Sequence, residues 1–442
     1  MDINEKIEKN FNKIHDKDLI NWSKKIWPFN RSLTGNGNRK TLLFLKTIVS
    51  GLKIRKVKSG TKVFDWRVPK EWHVKKAFFI GEDGKKYCDF SKNNLHLLGY
   101  SISKKATFSL KQLSKHIHTL RDQPSLIPYV TSYYEKNWGF CMSYNDFKKL
   151  KNQKYKVIID TNCFDGVMNY GEFFISGKSK KEILFSTNIC HPSMANNEIS
   201  GIIVSIALAK ILQNIYKLNY SYRFVFLPET VGSIFFIKKN LKRLVRRIHA
   251  GYVLSCVGDE RAYSLISSRY ENTISEKFLL SLLKNYENFT KYSFLDRGSD
   301  ERQYCAPKVN LPMCGFSRSK YNKFPEYHTS ADNFKLVTGK GMKQSLNILK
   351  NLINIFELSF KKPESRIICE PFMSKRKLYH NLSSKEELSK YINNKNDFRL
   401  NLNILSYCDG KNDLVDISNY VKKDVEKIIN RINFLKKCKL IK

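Results

Sequence analysis

Four groups of polar residues fall at the carboxyl ends of predicted strands or in the loops that follow, and their types suit metal-assisted hydrolysis. They are His191 with Asn197 and Glu198, Glu229, Asp259 with Asp300, and His328. His191 follows an apolar run, Glu182 to Thr187, that reads as a buried strand. Ser200-Gly201 then opens an apolar helix, Ile202 to Ile215, so Glu198 stands at a helix start seven residues after His191. In an open α/β sheet, ligands bind beyond the carboxyl ends of the strands. A catalytic zinc takes three N or O ligands and keeps one position for water. It lowers the pKa of that water and polarises a carbonyl, while a nearby carboxylate serves as base. Two histidines and an acid from separate loops, with a glutamate to spare, meet that need. The spacing is long, unlike H-E-x-x-H, so each residue also has a plainer reading. Glu198 suits a helix N-terminus by charge alone. Glu229 reads equally as a structural acid, Asp259 as a turn residue, and Asp300 with Arg302 as a loop ion pair.

The elements that must position these residues alternate. From Tyr155 onward, short apolar strands (156–160, 171–176, 182–187, 222–227, 251–257, 309–313) are interleaved with helices (202–215, 231–244, 273–286, 342–360). That rhythm predicts a doubly wound, mostly parallel α/β sheet. Ahead of it, residues 4–27 read as one amphipathic helix, and Arg31-Ser32-Leu33-Thr34-Gly35 as a turn capping a second, Arg39 to Val49. Residues 61–150 change character: KVFDWRVPKEWHVKKAFFI alternates like strands, and SLIPYVTSYYEKNWGFCMS is aromatic-rich. They read as a small, mostly β unit inserted into a core of residues 1–60 and 151–362, the aromatics serving core and interface. Residues 363–380 read as a linker. Three short helices and a final strand in residues 381–442 predict a winged-helix-like module.

The composition suits a folded chain: 442 residues, 42% hydrophobic and 13% aromatic. The formal net charge of +39 favours contact with anions, nucleic acid among them. The lysines are spread along the chain, however, and decorate a surface. One basic stripe, Lys422, Lys423, Lys427, Arg431, Lys436 and Lys437, lies on the module's last helix, where a winged helix would read a major groove. A solvated face is the plainer account. The ten cysteines form no C-x-x-C pair, which gives neither a zinc ribbon nor a redox dithiol and predicts buried small hydrophobes. The polar start has no apolar signal region, and the longest apolar run is too short to span a bilayer. A cytoplasmic chain with no membrane partner is expected, and a homo-oligomer stays open.

The ordered strings HPS…ANNEISG, PETVGS, CVGD, GSDERQY and YHTSAD resemble the zinc aminopeptidases of the bacterial leucyl aminopeptidase-like superfamily. WPFNRSLTGNG, SGTKVFDWRVPKEW, IPYVTSYYEKNWGFC and FPEYHTSAD add a likeness to a bacterial branch with an inserted domain and a C-terminal winged helix. Many members of that branch are encoded near surface-polysaccharide genes. The resemblance implies an exopeptidase-like fold and a metal-dependent hydrolase of a terminal amide, in a small peptide or a peptide-like or sugar-linked substrate. It implies His191 and His328 as metal ligands, Glu229 as general base, and Asp300, Arg302 and Tyr327 as substrate contacts. The peptidases carry a metal-bridging aspartate where this chain has Asn197, a metal-binding glutamate where it has Thr230, and a further acid where it has Ser255. Neutral amides and hydroxyls replace carboxylates poorly around such cations. The expectation is therefore one zinc ion on His191, His328 and Glu198, with Asn197 as a further donor. A catalytically degenerate binding protein, or a nucleic-acid binder acting through the winged helix, is the alternative.

Overall fold

A computed structural model describes residues 3–376, residue 378 and residues 398–442. Its centre is an eight-stranded mixed sheet. Glu182–Asn188 lies between Ser221–Leu227 and Ile248–Leu254 and is parallel to both; Ile248–Leu254 is parallel to Met313–Ser317. Antiparallel pairings flank this parallel centre: Val167–Ile175 runs against Ser221–Leu227, and Lys53–Lys58 against Val167–Ile175. Tyr263–Ile266 joins Met313–Ser317 antiparallel on the other side. Every residue of Glu182–Asn188 and of Ser221–Leu227 is buried, as expected of strands covered on both faces.

The helix Ser200–Leu212 is apolar almost all round and correspondingly buried. It packs against the sheet and against Gly339–Ser359 and Asp16–Ile26. Together with the preceding turn it is long and apolar enough to cross a membrane, but 94% of that window is buried inside the protein. The N-terminal segment expected as one helix is two, Ile3–Asn12 and Asp16–Ile26. The second starts where Asp18 accepts the His15 N–H at 2.8 Å, a capping bond that ends one helix and opens another.

The strand read at 156–160 exists, as Lys154–Phe164, but not in the main sheet. It pairs antiparallel with Glu71–Gly81 and Lys104–Ser109 in a separate four-stranded sheet that also takes Lys86–Tyr87. Apolar alternation looks the same in either sheet, so pattern alone could not say which one it joined. We therefore propose that the inserted unit runs to about Phe164. Its aromatic segment reaches back to the core: Tyr129 N–H donates to His328 O at 2.8 Å, and Ser330 N–H to Ile127 O at 2.9 Å.

Towards the C-terminus, residues 398–406, Leu414–Val421 and Val425–Lys437 are helical. Ser365, at the start of the expected linker, bridges to Ile441, so that stretch packs on the end of the module. The end of the expected linker and the start of the expected module, residues 377 and 379–397, lie outside the described residues. The module is seated on the core. Lys277 bonds Asp413 and Asp416, both at 2.7 Å, Asn351 reaches Glu426, and Lys437 pairs with Glu5 at 2.7 Å. All ten cysteines are free, seven of them buried.

Candidate active site

His191 stands three residues beyond the end of the Glu182–Asn188 strand, at the carboxyl end of the parallel centre. The chain turns through Ser193, whose φ of 49° is left-handed, and enters a π-helical turn, Ala195–Ile199, before the helix proper. A π-turn widens the backbone and is frequent at functional sites. Here it buries Asn197 and Glu198 side by side. Asp332 fixes the turn by accepting N–H bonds from Asn196 at 2.5 Å and from Asn197 at 3.0 Å.

Glu198 sits behind His191 rather than between the histidines. One oxygen accepts the His191 backbone N–H at 2.7 Å and its Nδ1 at 2.6 Å. The other accepts Arg31 Nε at 3.2 Å, and neither side chain of that pair is exposed. Arg31 also donates to Ile26 O at 2.6 Å. Burial works against the Glu198 charge, yet His191, Arg31 and the Cys190 backbone outweigh it and hold the carboxyl below its usual range. Burial works against charge on His191 too, but Cys190, Tyr129 and Glu198 outweigh it and raise its pKa well above the usual value. Burial pushes Cys190 and Tyr129 each up to about 12, so both are neutral near pH 7 and Glu198 is the charge that acts. With Nδ1 committed to Glu198, Nε2 of His191 faces the cleft.

Glu229 enters that cleft from the end of the neighbouring strand. Its Oε2 is 3.6 Å from His191 Nε2 and its Oε1 is 3.6 Å from the Arg302 guanidinium. The next residue, Thr230, is left-handed at φ 65°, and this sharp corner starts the helix Val231–Arg247. Burial raises the Glu229 carboxyl above its usual range against the pull of His191 and Arg302. Asp300 is buried beneath, accepting the Thr230 N–H and the Ser233 hydroxyl at 2.9 Å each. Burial, then the nearby Glu229, pushes it up to about 7. Asp300 therefore supports the Glu229 corner. It does not pair with Arg302, which donates to Thr230 Oγ1 at 2.8 Å.

His328 closes the cleft from the far side. Its φ of 54° is left-handed, Tyr327 stacks on it at 3.9 Å, and its ring lies 5.4 Å from that of His191. Burial, then His191, lowers its pKa to about 3, which keeps it neutral. Its Nε2 is 3.4 Å from the Asn197 amide nitrogen, an orientation that flipping the amide would exchange for its oxygen. The two imidazoles and Glu229 are thus brought together, with Asn197, Arg302 and Tyr327 at the edge. Asp259 is a turn residue, spent on Asn196, Ser319 and the Arg261 N–H.

Three participants were not singled out from the sequence. Arg31 lies in a polar turn with no chemical signature. Cys190 offers a donor atom within 4.8 Å of those of His191 and Glu229. Tyr129, from the inserted unit, sets its ring edge-on to both histidines, 5.3 Å from His191 and 5.1 Å from His328. The aromatic density around it was its one signal, and core packing explains such density equally well.

Comparison with known proteins agrees with this architecture. A family model described as a domain of unknown function, DUF4910, matches residues 20–359, and a winged helix-turn-helix model matches residues 362–442. A Clostridium acetobutylicum protein, named as a candidate polysaccharide biosynthesis protein with an aminopeptidase-like domain, is 37% identical over 402 residues. The match covers 91% of this chain and 90% of that protein. A crystal structure from the same species, described as a candidate peptidase, has a TM-score of 0.87 at 35% identity, covering 100% of this chain and 99% of the other. BSAP, a zinc aminopeptidase of Bacillus subtilis, shares the fold at a TM-score of 0.54 and 12% identity, over 76% of this chain and 94% of its own.

Proposed function

The chain belongs to the DUF4910 family, with an aminopeptidase-like fold and a C-terminal winged helix, and on that footing we propose that it hydrolyses an amide in a small peptide-like substrate. The observation that carries the proposal is the meeting of His191, His328 and Glu229 across one cleft.

The donor set fits one cation better than two. His191 turns Nε2 into the cleft because Glu198 holds Nδ1, the arrangement that commonly orients a metal-bound histidine, and the proton that the raised pKa leaves on Nε2 would be given up when a cation binds. His328 is neutral, so its lone pair is available. Among the described residues no second cluster of carboxylates is at hand, since Asn197, Thr230 and Ser255 are neutral and both Glu198 oxygens are spent. His191 and His328 would hold the ion, with the Asn197 amide oxygen as a further donor and zinc as the natural candidate. When bound, it would supply a positive charge for the carbonyl oxygen and make water more acidic.

The chain's own groups do the rest. Glu229 takes a proton from the attacking water and returns it to the departing nitrogen, with a carboxyl raised by burial toward the working pH. Glu198 and Arg31 fix the His191 ring. Tyr129 and Tyr327 wall the cleft and limit water. Glu229→Gln should lower turnover of aminoacyl reporter amides about 10²–10⁴-fold while zinc content stays at that of the wild type. His191→Ala should lose the ion. Wild type free of metal after zinc reconstitution, or full turnover in Glu229→Gln, would refute the proposal. In the first case the neutral replacements would mark a binding protein on a hydrolase fold.

A further inference from the structure

The charges around the cleft specify what the substrate carries, on the premise that the His191–Glu229 cleft is the substrate site. An enzyme that selects a free amine needs an acid to receive the ammonium. Here the nearby acids but one are held by partners, and the two oxygens left over, Asp300 Oδ2 and Glu301 Oε2, are buried out of an ammonium's reach. Glu198 is held by Arg31 and His191, and Asp300 by Thr230 and Ser233. Asp332 accepts the Asn196 and Asn197 N–H groups. Glu326 is bidentate to Arg261 at 2.8 and 2.9 Å, and Glu301 takes the Tyr321 hydroxyl and two backbone N–H groups. Glu229 is half-buried, with its oxygens no nearer than 3.6 Å to His191 and Arg302, and the proposed hydrolysis uses it.

The cleft does offer a cation. Arg302 is 38% exposed and gives one nitrogen to Thr230 Oγ1, and its buried Nε has no partner. Guanidinium forks match carboxylates in geometry as well as charge. Phenols lie beside the cleft: Tyr129 and Tyr133 share a hydroxyl hydrogen bond at 3.2 Å, and Tyr327 stacks on His328. A net charge of +39 draws anions from solution.

We propose that this cleft receives a substrate carboxylate beside the scissile amide, with Arg302 as the specificity residue, and does not select a free amine. The fold of an aminopeptidase would then serve cleavage next to an acid terminus.

Three probes of one shape and different charge test this on the full chain: 3-phenylpropionate, 3-phenylpropionamide and phenethylamine. Titration followed by NMR or calorimetry at low salt reads their affinities. The acid should bind at least about ten-fold tighter than the amide or the amine, a gap of about 1.4 kcal/mol. Arg302→Gln should erase the gap without lowering the melting temperature, and Arg302→Lys should restore most of it. An amine that binds as well as the acid, a gap that survives Arg302→Gln, or no binding of any probe would overturn the proposal. None of the three needs turnover, so failure of hydrolysis would leave this result readable by itself.

Discussion

Arg31 and Glu198 show how a single buried pair decides what a site can be. A guanidinium and a carboxylate with no exposure are costly to bury and hold only when each stays bonded. Their pairing holds Glu198 between Arg31 and His191, one oxygen on each. Arg31→Met should therefore destabilise the fold by about 3–5 kcal/mol, the usual cost of stranding one buried charge. In a urea-unfolding cycle with Glu198→Leu, the double variant should cost less than the sum of the singles, and additive costs would contradict the coupling. Glu198→Gln should weaken zinc binding about 10–100-fold, the cost of a lost outer partner, without abolishing it.

The elements carry the site through close approaches that tolerate little change. Gly201 opens the central helix against the sheet, where a Cβ would lie 2.6 Å from both Leu254 O and Thr187 Oγ1. Gly201→Ala should cost about 1–3 kcal/mol, since overpacking against backbone leaves nothing to yield. Thermal unfolding measures it, and an unchanged melting temperature would show that the helix can retreat. Glu71 ties the two sheets together. It begins the long strand of the small sheet, pairs with Arg39 at 2.5 Å, and accepts the Val167 N–H of the main sheet at 2.8 Å. Burial opposes its charge, but Arg39, Val167 and His73 outweigh it and hold the carboxyl below the usual 4.5. A lowered acid adds stability that is complete above its usual value and is lost as the pH falls through the lowered one. Wild type should therefore lose stability below about pH 4.5. Glu71→Gln should begin about 1.5–3 kcal/mol weaker at pH 7 and fall less steeply. Parallel pH dependences would mean that Glu71 is not the link.

For the whole molecule, the winged helix behaves as a brace. Glu426, Asn433 and Lys437 on its last helix meet Asn351, Asn4 and Glu5 of the core, and Asp424 meets Asn285. Of the basic stripe, Lys437 takes part in these contacts and Lys422, Lys423 and Lys427 are exposed, the solvated face expected of so lysine-rich a chain. The full chain should hold duplex DNA only weakly at physiological salt, and tight binding with a steep salt slope would contradict this. The sequence was legible where one pattern had one cause: the central strand is buried as its apolar run requires, and His191 and Glu229 follow strand ends, while His328 lies in the loop after Met313–Ser317. It was silent where tertiary partners decide. The 154–164 strand could pair in either sheet, Glu198 could serve a metal or a histidine until Arg31 was in place, and Tyr129 looked like core until its loop met His328. The proposed chemistry needs one cation shared by two imidazoles. Zinc-soaked crystals with anomalous scattering, read beside zinc content per chain, test it most directly. One ion between His191 and His328 at one equivalent is the expected result; two ions, an ion elsewhere or none would contradict it.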